Sequence, residues 1–304
     1  MSTDTPNLGQ SSDSTPGVRG TFMGGHNEPD PSSTYDIIDY VNIASTGNAV
    51  DFGNLQASKQ EANAFSSATR GFYFGGDPAL NVIDTFVFAS TSNATDFGDL
   101  TTGSKTGVGV ANATRGIAYI GVTPSVTNVM NYVTMASTGA GVDFGDNEIA
   151  KGANGTGCAS PTRGIIVDGD SAGANIVLFN IATTGQSTQE FGQQSDARGG
   201  LAGASNATRG VFMGGFKPAA QSTIDYITIS TLGNATNFGD LSTANYYNAG
   251  SASANRAISG GGGSPFTNTI EYIEIPTTGN AVDFGDLTQK RRHLEACSNG
   301  HGGL

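Results

Sequence analysis

The sequence predicts an all-β fold built from six similar antiparallel sheets, and three observations predict it. A phenylalanine-glycine pair recurs as Phe52-Gly53, Phe97-Gly98, Phe144-Gly145, Phe191-Gly192, Phe238-Gly239 and Phe284-Gly285, 45 to 47 residues apart. An arginine keeps the same rhythm at Arg19, Arg70, Arg115, Arg163, Arg209 and Arg256. No copy shows a 3.6-residue apolar stripe, and glycine, 45 of 304 residues, is too frequent for helices. Two independent markers with one period indicate an internal repeat. A period of about 40 to 50 residues points to a solenoid or a β-propeller.

In chain order, residues 1–17 come first. They are polar, rich in Ser, Thr, Asp and Pro, and too poor in apolar residues to fold alone. They read as a flexible or extended arm, or as a strap that orders against a neighbouring subunit. The array occupies residues 18–298, and each copy reads as four short strands. The first carries a Phe-Met-Gly-Gly pattern, as at residues 21–25, 72–76 and 211–215. The second alternates β-branched or aromatic with polar residues, as in Ile224-Asp225-Tyr226-Ile227-Thr228-Ile229. A Gly-Asn pair follows at Gly47-Asn48, Gly233-Asn234 and Gly279-Asn280 and predicts a tight hairpin. The third strand holds the Phe-Gly pair. The fourth is Gly, Ala and Ser, as at residues 107–112, 199–205 and 249–254. Such small residues at one fixed place fit the innermost strand of a propeller, where six backbones converge on the channel.

The array starts within a copy, at Gly17-Val18-Arg19, and its last segment, residues 290–298, matches the fourth strand. Residues 293–298 are therefore expected to pair antiparallel with residues 20–25 and close the ring, removing two sheet edges. Residues 299–304 form a tail expected to fray.

The copies resemble the kelch-type β-propeller repeat. The resemblance rests on the doublets Gly24-Gly25, Gly75-Gly76, Gly214-Gly215 and Gly260-Gly261, and on the aromatics Tyr40, Tyr226 and Tyr272. It also rests on the outer-strand aromatic, here Phe. It implies a six-bladed, kelch-like β-propeller of four-stranded antiparallel blades, closed by the C-terminal strand. The copies at 115–146 and 163–192 depart from the pattern, with Ile120-Gly121 and Asp168-Gly169 in place of the doublet, and are expected to be less regular. The wording of the repeat, ATRG…FGG…IDYI…TGNATDFGDL, is similar to repeats in virion structural proteins of tailed phages, marine cyanophages among them. This implies a non-enzymatic virion protein, a capsid decoration, knob or tail-appendage subunit. Its partners would be other capsid or tail proteins, and possible further ligands are host-surface glycans. The alternative is a free adhesion or carbohydrate-binding propeller.

The formal charge is −12 and the pI about 4.4, which disfavours binding to a phosphate backbone. Residues 1–10 show no secretory pattern, and no 18-residue apolar run occurs, so neither a signal peptide nor a membrane span is expected. Cys158 and Cys297 lie in the fourth strands of different copies and read as buried free thiols. The repeated arginine reads as a structural part whose fork bonds turn carbonyls or the repeated carboxylates Asp51, Asp96, Asp143 and Asp283. Asp168-Gly169-Asp170 hints at calcium but reads better as a turn. His26, His293 and His301 are scattered along the chain and suggest no metal or cofactor site, and no catalytic motif appears.

Strand polarity places the near-identical Ala-Thr-Arg-Gly and Thr-Gly-Asn-Ala connections on one face. The variable loops fall on the other, at 26–35, 77–81, 170–175, 216–223 and 262–269. Loops on a rigid scaffold carry binding surfaces. The candidate binding residues are therefore His26, Asn27, Glu28, Asp30, Asp77, Asp170, Phe216, Lys217 and Phe266.

Overall fold

The computed structural model describes residues 18–27, 33–148, 154–169, 173–263 and 265–300. They form six four-stranded antiparallel blades around a central channel, with strands as the only long elements. In the second blade the strands run from the channel outward as Ala62–Ser66, Arg70–Gly75, Leu80–Val87 and Thr95–Ser104. The third to sixth blades keep this order, with inner strands Val108–Ala111, Thr156–Ala159, Ala202–Ser205 and Ala249–Ala252.

The first blade takes its inner strand from the other end of the chain. Glu295–Ser298 pairs antiparallel with Arg19–Met23, Gly20 facing Ser298 and Met23 facing Glu295. Closure reaches one residue beyond the expected strand. The Arg19 amide donates to Asn299 Oδ1 at 2.7 Å and the Asn299 amide to the Arg19 carbonyl at 3.3 Å. Asn299 thus belongs to the closure and not to a frayed tail. Residues 301–304 and the arm, 1–17, lie outside the described residues.

Apolar burial is divided among six clusters, one at each junction between neighbouring blades. The repeated Phe52, Phe97, Phe144, Phe191, Phe238 and Phe284 are all at most 3% exposed, as their recurrence predicts. Three repeated devices join the blades. The first extends the hairpin expectation: the Gly-Asn segment does connect two paired antiparallel strands, through a loop of several residues instead of a tight turn, and it is also a clasp on the preceding blade. The Gly279 amide donates to the Phe238 carbonyl at 2.9 Å, Ala281 to Asp240 at 2.8 Å, and the Asp240 amide to Asn280 Oδ1 at 3.1 Å. Gly47, Ala49 and Asn48 do the same to Phe284 and Asp286 across the ring closure. This explains the glycine of the Phe-Gly pair. A Cβ on Gly239 would stand 2.2 Å from the Gly279 carbonyl oxygen, and one on Gly285 would stand 2.5 Å from that of Gly47.

The second device is the repeated arginine. Arg115, Arg163 and Arg209 each donate from Nη1 at 2.8 Å to the following blade, at the carbonyls of Ile181, Ile229 and Ile275. Arg256 reaches Ile43 across the closure, and Arg19 reaches Phe88. The carbonyl reading holds. The proposed carboxylate partners Asp51, Asp96, Asp143 and Asp283 are instead exposed, and Arg256 pairs with Glu274. The guanidinium also lies over the aromatic of its own blade, Arg256 over Tyr272 at 4.2 Å and Arg115 over Tyr132 at 4.5 Å.

The third device was not expected. Asp39, Asp84 and Asp225 are fully buried in their strands and pair with Arg291, Lys59 and Arg198 at 2.9 to 3.0 Å. Each cation comes from the connection that enters the blade. In the third blade the position is Asn131, which accepts from the Thr101 amide and hydroxyl at 2.9 and 2.8 Å. Of the two copies expected to be less regular, this one is: a two-stranded hairpin, Val122–Thr123 with Ser125–Val126, follows Gly121, whereas the copy at 163–192 keeps the usual four-stranded order among the described residues. Cys158 and Cys297 are buried and free, in the inner strands of the fourth and first blades.

Candidate functional site

The connection entering each inner strand turns through one residue with positive φ: Glu61, Thr106, Asn154, Gly200, Tyr247 and His293, at 51° to 68°. The turn points each amide sideways along the channel mouth. Tyr247 donates to the Gly200 carbonyl at 2.7 Å, His293 to Tyr247 at 3.1 Å, Glu61 to His293 at 3.2 Å and Thr106 to Glu61 at 2.8 Å. Gly200 donates to Asn154 at 2.8 Å. Five peptide hydrogen bonds thus link the six turns in a row around the mouth on the variable face, from Asn154 to Thr106. At the opposite end the inner-strand serines link blades, Ser66 Oγ to the Ser298 carbonyl at 2.7 Å and Ser205 Oγ to Ala159 at 2.9 Å. The space between is narrow, and its largest compartment holds about 80 Å³. Small-molecule sites usually enclose about 300 to 1,000 Å³.

Glu295 points into this channel beside Asn63 and Asn248. Protein surrounds it, although the channel leaves part of its side chain accessible. Burial pushes its carboxyl up to about 8, opposed only by a hydrogen bond from the Ala296 backbone. Burial likewise raises Glu61, countered by Lys105, which lies 3.6 Å from Glu61 and 3.0 Å from Asp77.

Around the mouth the side chains are not sixfold. From the fifth blade to the first they form one connected strip of rings. Phe216 meets Tyr246 at 5.1 Å between centroids, Tyr246 meets Tyr247 at 4.9 Å, and Tyr247 stacks on His293 at 3.8 Å. His293 stacks on His26 at 5.2 Å, and His26 meets Phe266 edge-on at 5.6 Å. Arg292 ties the strip together. It lies over Phe266 at 4.7 Å, and its Nη1 donates to Tyr246 Oη and its Nε to His26 Nε2, both at 3.4 Å. His26 and Arg292 also exchange backbone hydrogen bonds at 3.0 and 3.1 Å. Burial, then His26 and Arg292, lower His293 to about 3, so its ring stacks in the neutral form.

The structure therefore brings His26, Phe216 and Phe266 into one strip, in which Phe216 is exposed, Phe266 half-buried and His26 buried beneath them, and it places Lys217 beside Phe216, paired with Asp196 at 2.6 Å. Asn27 adjoins His26, and its amide donates to the Ser33 carbonyl at 3.4 Å. Asp77 is drawn into the separate Lys105 pair. Glu28, Asp30 and Asp170 lie outside the described residues, so the Asp168-Gly169-Asp170 segment is described only as far as Gly169. His26 and His293, far apart in sequence, are neighbours after all. They meet face to face, however, and among the described residues no three His, Cys, Asp or Glu side chains form a metal cluster. Sequence reasoning missed Tyr246, Tyr247, Arg292 and His293. The signal was present: the same two places hold Gln60-Glu61, Lys105-Thr106 and Gly199-Gly200 in other copies.

No family model and no curated protein matches this chain. In fold it is similar to the solved "Structure of YjhT", with a TM-score of 0.66 and 11% sequence identity over 80% of this chain and 88% of that one. An identity this low speaks for the six-bladed propeller alone, since one fold hosts many functions.

Proposed function

We propose that this chain is a non-enzymatic, kelch-like virion subunit of a tailed phage, a capsid decoration, knob or tail appendage that binds through its variable face. One observation carries the binding reading. Every device that joins the blades recurs in at least three copies, yet the Phe216-to-Phe266 strip occurs once. Tyr247 and His293 hold the positive-φ place that Gly200 and Asn154 fill at less strain. The strained turn is architectural, since Glu61 and Thr106 carry it too, but the rings that two of the six turns hold are not, and aromatic side chains gathered on one sector of the mouth support a recognition site. Rings held by mutual stacking lose little freedom on binding, so such a face is preorganised. The narrow channel argues in the same direction, away from an enclosed reaction chamber.

The virion assignment rests on the wording of the repeat, and on a closed ring whose loops and termini are left to make attachments. Mass spectrometry of purified particles against the culture supernatant tests it. The protein is expected in the particles at a fixed stoichiometry to the capsid or tail proteins. Recovery only from the supernatant would remove the virion reading and leave the free adhesion propeller.

A further inference from the structure

Beside Phe216 the variable face opens into a groove of about 420 Å³ between the fourth and fifth blades. This is several times the room in the channel and within the usual range for a ligand site. Its walls include Gly169, Ala197, Gly199, Phe216, Lys217 and Pro218. Among the described residues, Phe216 is the one aromatic ring in the set of exposed large hydrophobics, at 43%. It is not loose. The Phe216 amide donates to the Gly199 carbonyl at 2.8 Å, the Gly199 amide to Phe216 at 3.4 Å, and the Lys217 amide to Ala219 at 2.8 Å. Gln221 Nε2 braces the same turn through the Lys217 and Ala219 carbonyls at 3.0 and 2.9 Å. The ring also leans on Tyr246. An apolar ring held rigidly in water at the edge of a groove is a stacking platform in waiting.

Charge then narrows the ligand. Arg198 lines the groove, but its guanidinium is committed to Asp225 at 3.0 Å and to the Gly214 carbonyl at 2.7 Å. Lys217 is matched by Asp196. Among the described residues the groove thus offers no unmatched cation to an anion, and the chain carries −12 overall. What it does offer is a π face, small apolar walls, and one exposed ammonium–carboxylate pair that both donates and accepts. A pyranose has the complementary surface. One face of C–H groups meets the negative ring face, and a rim of hydroxyls gives and takes hydrogen bonds. We propose that this groove binds a neutral saccharide, its sugar ring stacked on Phe216 and its hydroxyls on Lys217 and Asp196. The proposal rests on reading the variable face as the binding face, and it does not depend on virion membership.

The test uses the full-length protein on an array of neutral and acidic glycans, followed by calorimetric titration of the strongest neutral ligand. Neutral glycans should bind. Phe216→Ala should weaken the titrated affinity at least tenfold with an unchanged Tm, because the ring is exposed, and Asp196→Asn should weaken it severalfold. Binding confined to acidic glycans, no glycan binding at all, or equal affinity in Phe216→Ala would each overturn the assignment. Particle mass spectrometry reads the virion proposal separately. Glycan binding by a protein absent from particles would reject that proposal and keep this one.

Discussion

Phe238 and Gly239 show how one dipeptide carries two jobs. The ring fills the apolar cluster between the fifth and sixth blades, and the missing side chain admits the neighbouring clasp. Gly239→Ala should therefore destabilise by about 1–3 kcal/mol through overpacking against a backbone oxygen, and Phe238→Ala by about 3–5 kcal/mol. Urea denaturation midpoints would check both. A silent Gly239→Ala would mean that the clasp yields freely. The pair was legible from its recurrence; the reason for its glycine was not, because the clasping oxygen lies a whole blade away in sequence. The buried Asp39, Asp84 and Asp225 were hidden in the same manner, since their cations arrive from another connection. Two titrating groups set a pH dependence. Glu295 is raised from 4.5 to about 8, so its folded form holds the proton more tightly. Its contribution is complete below about 4.5 and fades as pH rises through 8. His293 is lowered from 6.5 to about 3, so its contribution is complete above about 6.5 and fades as pH falls through 3. Between 4.5 and 6.5 the two slopes oppose. Tm should accordingly decline from pH 6.5 to pH 8, and Glu295→Gln should flatten that decline. An equally steep fall in the variant would place its origin elsewhere.

Among the strands, the closing one differs from the rest because its partner lies at the opposite end of the chain. Its location was readable from the offset between the first and last copies, and the register of Glu295–Ser298 on Arg19–Met23 agrees. Its extent was underread, because Asn299 stands where Ser67, Asn112, Ser160, Asn206 and Ser253 stand in the other copies, each side chain accepting from the amide of the repeated arginine, and across the closure that arginine, Arg19, lies at the other end of the chain. Contacts of such sequence separation form late. Removal of residues 288–304 would bare the edge of Arg19–Met23 and delete Arg291, leaving Asp39 buried without its cation. Exposed edges recruit other chains, so this truncation should aggregate, as light scattering would show. Removal of residues 301–304 should leave Tm unchanged, whereas removal of residues 299–304 should lower it measurably. Equal Tm values for the two short truncations would deny Asn299 its part in the closure. The Gly-Asn clasps teach a related lesson. Local turn chemistry predicted a tight hairpin; the hairpin is there, but its loop is lengthened to make inter-blade bonds that local sequence does not show.

At the scale of the whole ring, the two ends of the described chain lie side by side. A Cβ on Gly300 would stand 2.3 Å from Val18, at the face of the near-identical turns. The aromatic strip and the Phe216 groove occupy the opposite face. The described chain begins on the uniform side, at Val18, where residues 1–17 join it. If the arm is the strap that mounts the propeller on a particle, the uniform face lies against the particle and the variable face looks outward. Single cysteines can report this orientation. The native thiols give little background, since both are buried, with Cys297 pushed up to about 12 by burial and Cys158 higher still. Lys217→Cys would place a thiol on the variable face, and Thr46→Cys would place one on an exposed clasp loop of the uniform face. On the isolated protein a hydrophilic maleimide should label both. On intact particles it should label Lys217→Cys at the same rate and Thr46→Cys at least tenfold more slowly. Equal labelling of the two positions on particles would reject mounting through the uniform face, and protection of position 217 alone would turn the ring over, making the aromatic strip the attachment surface.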